Sequence, residues 1–169
     1  MSKAFTSEET PEAELVARPP PRLAPGEVRY VTPEGQAALR AALARAEREL
    51  AEAATSPAAA REARRAELER RAGFLRGTLA ALTVLGPEAA PAGQAGFGSW
   101  VTVEDEAGER ATWRIVGPDE ADARRRLVSA DAPLARALLG KRAGDTATVR
   151  RPKGEVELTV VEVRRTPPG

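Results

Sequence analysis

From Pro33 onward the apolar positions of this chain fall on a helical seam. Leu39, Leu43, Ala46, Leu50 and Ala53 recur at spacings of four and three, which keeps one stripe of a helix facing a partner. Thr32 and Pro33 supply the start: a hydroxyl that can accept a free backbone N–H, then a residue whose fixed φ suits the first turn. Ser56 and Pro57 repeat that pair, so one helix ends near Thr55 and a second begins at once. The second carries Leu68, Ala72, Leu75, Leu79 and Leu82 at the same spacing. Two stripes joined by so few residues predict an antiparallel coiled-coil hairpin over residues 30–85 that buries one seam. Towards its tip the second stripe gives way to Arg61, Arg64 and Arg65, a looser and partly basic end.

Residues 86–95, GPEAAPAGQA, are punctuated by Gly and Pro and read as a linker. Beyond them the period drops to two. Trp100 to Val103 alternates apolar and polar, Glu104 to Glu109 turns around Gly108, and Arg110 to Val116 returns, which predicts a hairpin. Asp131 is placed to cap a short helix opened by Pro133, carried by Leu134, Leu138 and Leu139, and stopped by Gly140. Thr146 to Arg150 and Val156 to Val163 alternate across a turn at Pro152 to Gly154, where glycine needs only a turn to explain it. The expected fold class is therefore α+β: an N-terminal helical hairpin, then an antiparallel β domain with one short helix over residues 96–165. Residues 1–29, with the run ARPPPRLAP, read as a disordered Pro-rich leader.

Composition narrows the chemistry. With 42% hydrophobic and 30% charged residues the chain has a soluble globular balance. No apolar run approaches the ~20 residues that span a bilayer, and MSKAFTSEET lacks the apolar core of a secretory signal. No membrane association and a cytoplasmic location are the expectations. The absence of Cys and His leaves only carboxylates, hydroxyls and basic groups for chemistry. A formal charge of +1 makes no net electrostatic case for nucleic acid.

Four blocks in order carry a family resemblance: YVTPEGQAALRAAL from Tyr30 to Leu43, GFGSWVTVED from Gly96 to Asp105, RIVGPDEAD from Arg114 to Asp122, and the stretch from Ser129 to Arg164. Together they resemble the GreA/GreB transcript-cleavage factors of bacterial RNA polymerase, GreB-like proteins above all. The resemblance implies a coiled-coil finger followed by a domain of FKBP-like fold, without implying prolyl isomerase activity. It implies RNA polymerase as partner, with the β domain docking at the rim of the secondary channel through the loop of Asp131, Ala132 and Pro133. Nucleic acid would be met only indirectly, through the polymerase complex, and the protein itself would be a monomer and not an enzyme. In the family the finger tip presents carboxylates that help hold the polymerase's magnesium ion, a hard cation that oxygen ligands suit.

At the tip this sequence departs from that plan. The family motif resembles G-D-x-x-E-N-A-x-Y, whereas AEAATSPAAAREARR stands here from Ala51 to Arg65. The family pattern resumes at RRAELERRAGFL, Arg64 to Leu75, so the top of the finger is missing from both arms. The tip is then formed by Glu52, Thr55, Ser56, Pro57 and Glu62, and no catalytic residue, metal ligand or cofactor is assigned. Three readings follow: a polymerase-binding regulator of elongation or initiation that cannot stimulate cleavage; an active cleavage factor using Glu49, Glu52 or Glu62; or a basic-tipped coiled coil for nucleic acid or protein, motivated by Arg61, Arg64, Arg65, Arg70 and Arg71. Glu62, Glu67 and Glu69, interleaved with those arginines, also fit a solvated face of i,i+4 pairs. Trp100 and Trp113 are expected to fill the β core. Arg124, Arg125 and Arg126 follow Asp119, Glu120 and Asp122 in what reads as a surface loop.

Overall fold

The computed structural model describes residues 21–55 and 58–169. The Pro-rich leader up to residue 20, and Ser56 and Pro57, lie outside the described residues. Two compact units emerge: a helical one built on residues 37–81, and a β-rich one made of residues 28–36 and 82–169.

The helical unit contains α1 (Pro33–Ala53), apart from its first turn, and α2 (Ala58–Ala81). Of the spaced apolar positions, Ala46, Ala53, Leu68, Ala72 and Leu75 are buried, while Leu39, Leu43, Leu50 and Leu79 are half-buried. Arg64 reaches Glu49 at 2.6 Å and Arg76 reaches Glu47 at 2.6 Å. Both pairs join α1 to α2. Leu82 does not extend α2. It opens β2 (Leu82–Val84), which pairs in parallel with β1 (Arg29–Val31).

The start of α1 follows its sequence signal. The Gly35 N–H donates to the Thr32 hydroxyl at 3.0 Å, and Pro33 is the first helical residue. At the other end the Thr55 hydroxyl donates to the Glu52 carbonyl at 2.7 Å, satisfying one of the last turn's free acceptors.

In the β unit a five-stranded sheet has the order β5-β4-β3-β7-β6, formed by β3 (Trp100–Asp105), β4 (Arg110–Val116), β5 (Leu127–Ser129), β6 (Thr146–Arg151) and β7 (Gly154–Arg164). Both hairpins fall where the alternation places them. The expectation of a purely antiparallel sheet is corrected: β5 runs parallel to β4, with Arg114 opposite Leu127 and Val116 opposite Ser129. Three residues are too short for alternation to reveal, and the chain reaches β5 through a 3-10 turn at Ala123–Arg125, where Arg126 adopts φ 58. A register shift between Thr102 and Val103 lets β7 bend against β3. The helix α3 (Pro133–Leu138) packs on β5 and β6. Val101, Val103, Ile115, Ala135, Leu138, Val149, Leu158 and Val160 form the core between them.

The stretch 86–95 is held by specific contacts of the β unit. Ala95 N–H donates to the Lys141 carbonyl, Gly140 N–H donates to the Ala95 carbonyl, and Ala95 itself is buried. A polar clamp secures β1 in the same way. Glu120 accepts the Thr32 N–H at 2.9 Å, the Gly117 N–H at 3.1 Å and the Thr32 hydroxyl. Asp119 takes the Arg29 guanidinium at 2.6 and 3.0 Å.

Candidate docking surface

The loop of Asp131, Ala132 and Pro133 sits between β5 and α3, held by backbone bonds at both ends. Ala130 N–H donates to the Val116 carbonyl and Ala132 N–H to the Ser129 carbonyl. Pro133 is the first residue of α3, as proline's fixed φ favours. Asp131 does not cap the helix, which corrects the sequence expectation. Ala132 holds the cap position and makes no side-chain cap bond. The Asp131 carboxylate is therefore exposed, one step outside the helix, and Pro133 is exposed beside it. A carboxylate next to a rigid apolar ring, both facing water on a backbone fixed by hydrogen bonds, is suited to meeting a partner's donor without reorganisation.

Both tryptophans contribute to the β unit. Trp100 lies under the Arg114 guanidinium at 5.2 Å from its ring centre, and Trp113 under Arg126 at 5.1 Å. Arg114 is buried, donates to the Gly98 carbonyl and pairs with Glu34 at 2.8 Å. Partial burial alone would push the Glu34 carboxyl up, but its own backbone N–H and the Arg114 guanidinium outweigh that and hold it below its ordinary value of 4.5. A carboxyl depressed in the folded chain contributes stability that is fully present above the unfolded value and lost as pH falls through the folded one. Urea titrations across the acid range should show Glu34→Gln flattening the fall in stability below pH 4.5. The change is expected to be small, because the Glu34 side chain is 67% exposed.

Glu52, Thr55 and Glu62 are exposed. Glu49 is engaged by Arg64, which also reaches Glu67 at 3.3 Å, while Arg65 pairs with Glu69 at 2.9 Å. Among the described residues no group of three or more His, Cys, Asp or Glu side chains is placed to hold a metal ion. Arg64 and Arg65 belong to a face of ion pairs, which weighs against the reading as a basic nucleic-acid tip. No described helix is long and apolar enough to cross a membrane.

The family model for the C-terminal region of the GreA/GreB transcription elongation factors matches residues 90–165, which include the whole five-stranded sheet, α3 and the Asp131–Pro133 loop. Transcription elongation factor GreB of Pseudomonas aeruginosa is 48% identical over 101 residues, covering 60% of this chain and 60% of that protein. Transcription elongation factor GreA of Verminephrobacter eiseniae is 41% identical over 122 residues, 71% of this chain and 76% of that one. The chain belongs to the GreA/GreB family of transcription elongation factors. It spans about 60% of the length of the Pseudomonas aeruginosa and Yersinia pestis GreB proteins it matches. Among solved structures, GreA factor homolog 1 (Gfh1) of Thermus thermophilus is 28% identical, covers 82% of this chain and 99% of that one, and superposes with a TM-score of 0.39, too loosely to carry an argument.

Proposed function

We propose that this protein is a GreA/GreB-type regulator that binds RNA polymerase at the secondary channel and does not stimulate transcript cleavage. In this reading the β unit is an FKBP-like docking domain that meets the polymerase through Asp131, Ala132 and Pro133. The helical unit is a short coiled-coil finger. At 21 residues α1 is roughly 32 Å long, at ~1.5 Å per residue. The observation that carries the reading is the replacement of the family's tip motif by Ala51 to Arg65 in a chain whose docking blocks are intact. Binding and cleavage chemistry occupy different parts of such a molecule, so one can be lost while the other stays. The protein would act in the cytoplasm as a monomer, regulating elongation or initiation by occupying the channel, with no enzymatic activity of its own.

The test is RNA cleavage by a stalled, backtracked elongation complex, with polymerase binding measured in the same samples. Binding without cleavage above the polymerase's intrinsic rate is expected. Faster cleavage would overturn the silent-occupant reading and direct mutagenesis to Glu49, Glu52 and Glu62. Replacing Asp131 and Pro133 together by alanine should weaken polymerase binding about tenfold or more. Unchanged affinity would place docking elsewhere.

A further inference from the structure

The five-stranded sheet ends on β6, and among the described residues no strand lies beyond it. The ladder to β7 fixes what that edge offers. Val160 N–H donates to the Asp145 carbonyl at 2.8 Å, and at the far end Arg151 faces Gly154 across the turn. Bonded pairs alternate in an antiparallel ladder, so Asp145, Ala147, Val149 and Arg151 turn their backbone N–H and C=O groups to β7. Those of Thr146, Thr148 and Arg150 turn outward. The side chains of these three are exposed, while Ala147 and Val149 are buried in the core beneath α3.

Exposed sheet edges are commonly blunted by proline, lysine or shortness. At the opposite edge β5 has three residues, but β6 has six and contains neither proline nor lysine. Arg150, the charge on its outer face, is held by Glu155 of the same hairpin at 3.0 Å. Against a second copy running antiparallel, one register uses all the outward backbone groups. Thr148 then lies opposite its own counterpart, and Thr146 lies opposite Arg150 on either side, so no like charges meet. Thr148 against Thr148 repeats a pair the sheet already contains: the hydroxyls of Thr102 and Thr112, on β3 and β4, lie 2.8 Å apart. The same register sets Arg151 opposite Asp145 of the second copy at both ends. Arg151 has no carboxylate partner among the described residues. Asp145 accepts the Arg142 N–H at 2.8 Å and has no cationic side chain against it there. Both are exposed.

We propose that β6 is a self-association edge, through which two copies of the free protein join their sheets into one across a twofold axis. The outward N–H and C=O groups of Thr146, Thr148 and Arg150 bond to the second copy, and two Arg151–Asp145 pairs close the ends. On the core side Ala147 of each copy meets Val149 of the other, small apolar side chains that need no polar partner. The contact is narrow, so the dimer is weak and reversible. The inference does not rest on the docking reading: the form that would meet polymerase is the monomer, and self-association sets how much monomer is free.

Sedimentation velocity of the full chain, from micromolar to near-millimolar concentration, should show a monomer–dimer equilibrium. Thr148→Pro should weaken the dimer about tenfold or more, because it removes an N–H that points away from β7, where an edge strand tolerates proline. Thermal melts establish that each variant is folded, and the charge variants carry the test if the proline variant is not. Asp145→Lys and Arg151→Glu each set like charges opposite one another at both ends, and each should weaken the dimer about tenfold. An equimolar mixture of those two variants restores opposite charges at both ends and should dimerise as wild type does. A wild type that stays monomeric throughout, or a folded Thr148→Pro chain that dimerises normally, overturns the edge. Single charge variants that dimerise as well as wild type, or a mixture no better than either alone, overturn the register and the proposal with it.

Discussion

Replacing Glu120 by alanine is expected to destabilise the β unit by about 3 kcal/mol, read as a lower midpoint in urea unfolding. One carboxylate serves three donors: the N–H of Thr32, the N–H of Gly117 and the Thr32 hydroxyl. Thr32 is completely buried, so truncation leaves donors in a place that water cannot readily serve. Each unsatisfied buried donor costs ~1–3 kcal/mol, which is why the sum exceeds the worth of an ordinary surface bond. Glu120→Gln should lie in between, since an amide can replace part of the acceptor set but adds donors of its own. A loss near zero for Glu120→Ala would mean that β1 is held by its pairing with β2 and not by the clamp.

Gly117→Ala should be of similar size, about 3 kcal/mol, through the opposite fault of too little room. A Cβ on Gly117 would stand 2.1 Å from the Tyr30 carbonyl oxygen and 3.2 Å from its carbon. Those are backbone atoms of β1, so no side-chain rotation can relieve the overlap; the strand must move. Moving it pulls Thr32 from Glu120, whose carboxylate also lies where a Cβ on Gly35 would fall, 1.9 Å away. Since both substitutions act by lifting β1 from the loop after β4, Glu120→Ala with Gly117→Ala should cost clearly less than their sum. Full additivity in the double variant would show two independent faults and would disprove a shared clamp.

The clamp also reaches the start of α1. β1 leads directly into α1, and the hydroxyl that starts α1 is the one that Glu120 holds. Arg114 adds Glu34 of the first turn. The first turn of α1, which belongs to the β unit, is thereby held by side chains from the loop after β4 and from β4 itself.

Much of this was legible from residue order. The seam from Leu39 to Leu79 marked the helices, Thr32 and Pro33 marked where α1 begins, and alternation located both β hairpins, because each signal depends on neighbours within a few residues. Family blocks pointed to the right family for the same reason. Leu82 was misread as a helical seam position because periodicity cannot report that a parallel partner, β1, lies far back in sequence. Asp131 was misread as a cap because its side chain matches the role, whereas the backbone gives that position to Ala132.

What the sequence by itself determined is therefore local and additive: helical stripes, turn glycines, alternating strands, the family blocks, and the departure from the family's tip motif. What only the tertiary structure decided is which distant groups share a site. Residues 86–95 became part of the β unit through backbone bonds of Ala95 to Gly140 and Lys141. Asp119 and Glu120 became a clamp by meeting Arg29 and Thr32, and Arg126 came to lie over Trp113. The reason is that ion pairs and buried hydrogen bonds depend on distance in space, and sequence spacing fixes that distance only within a turn of helix or a strand.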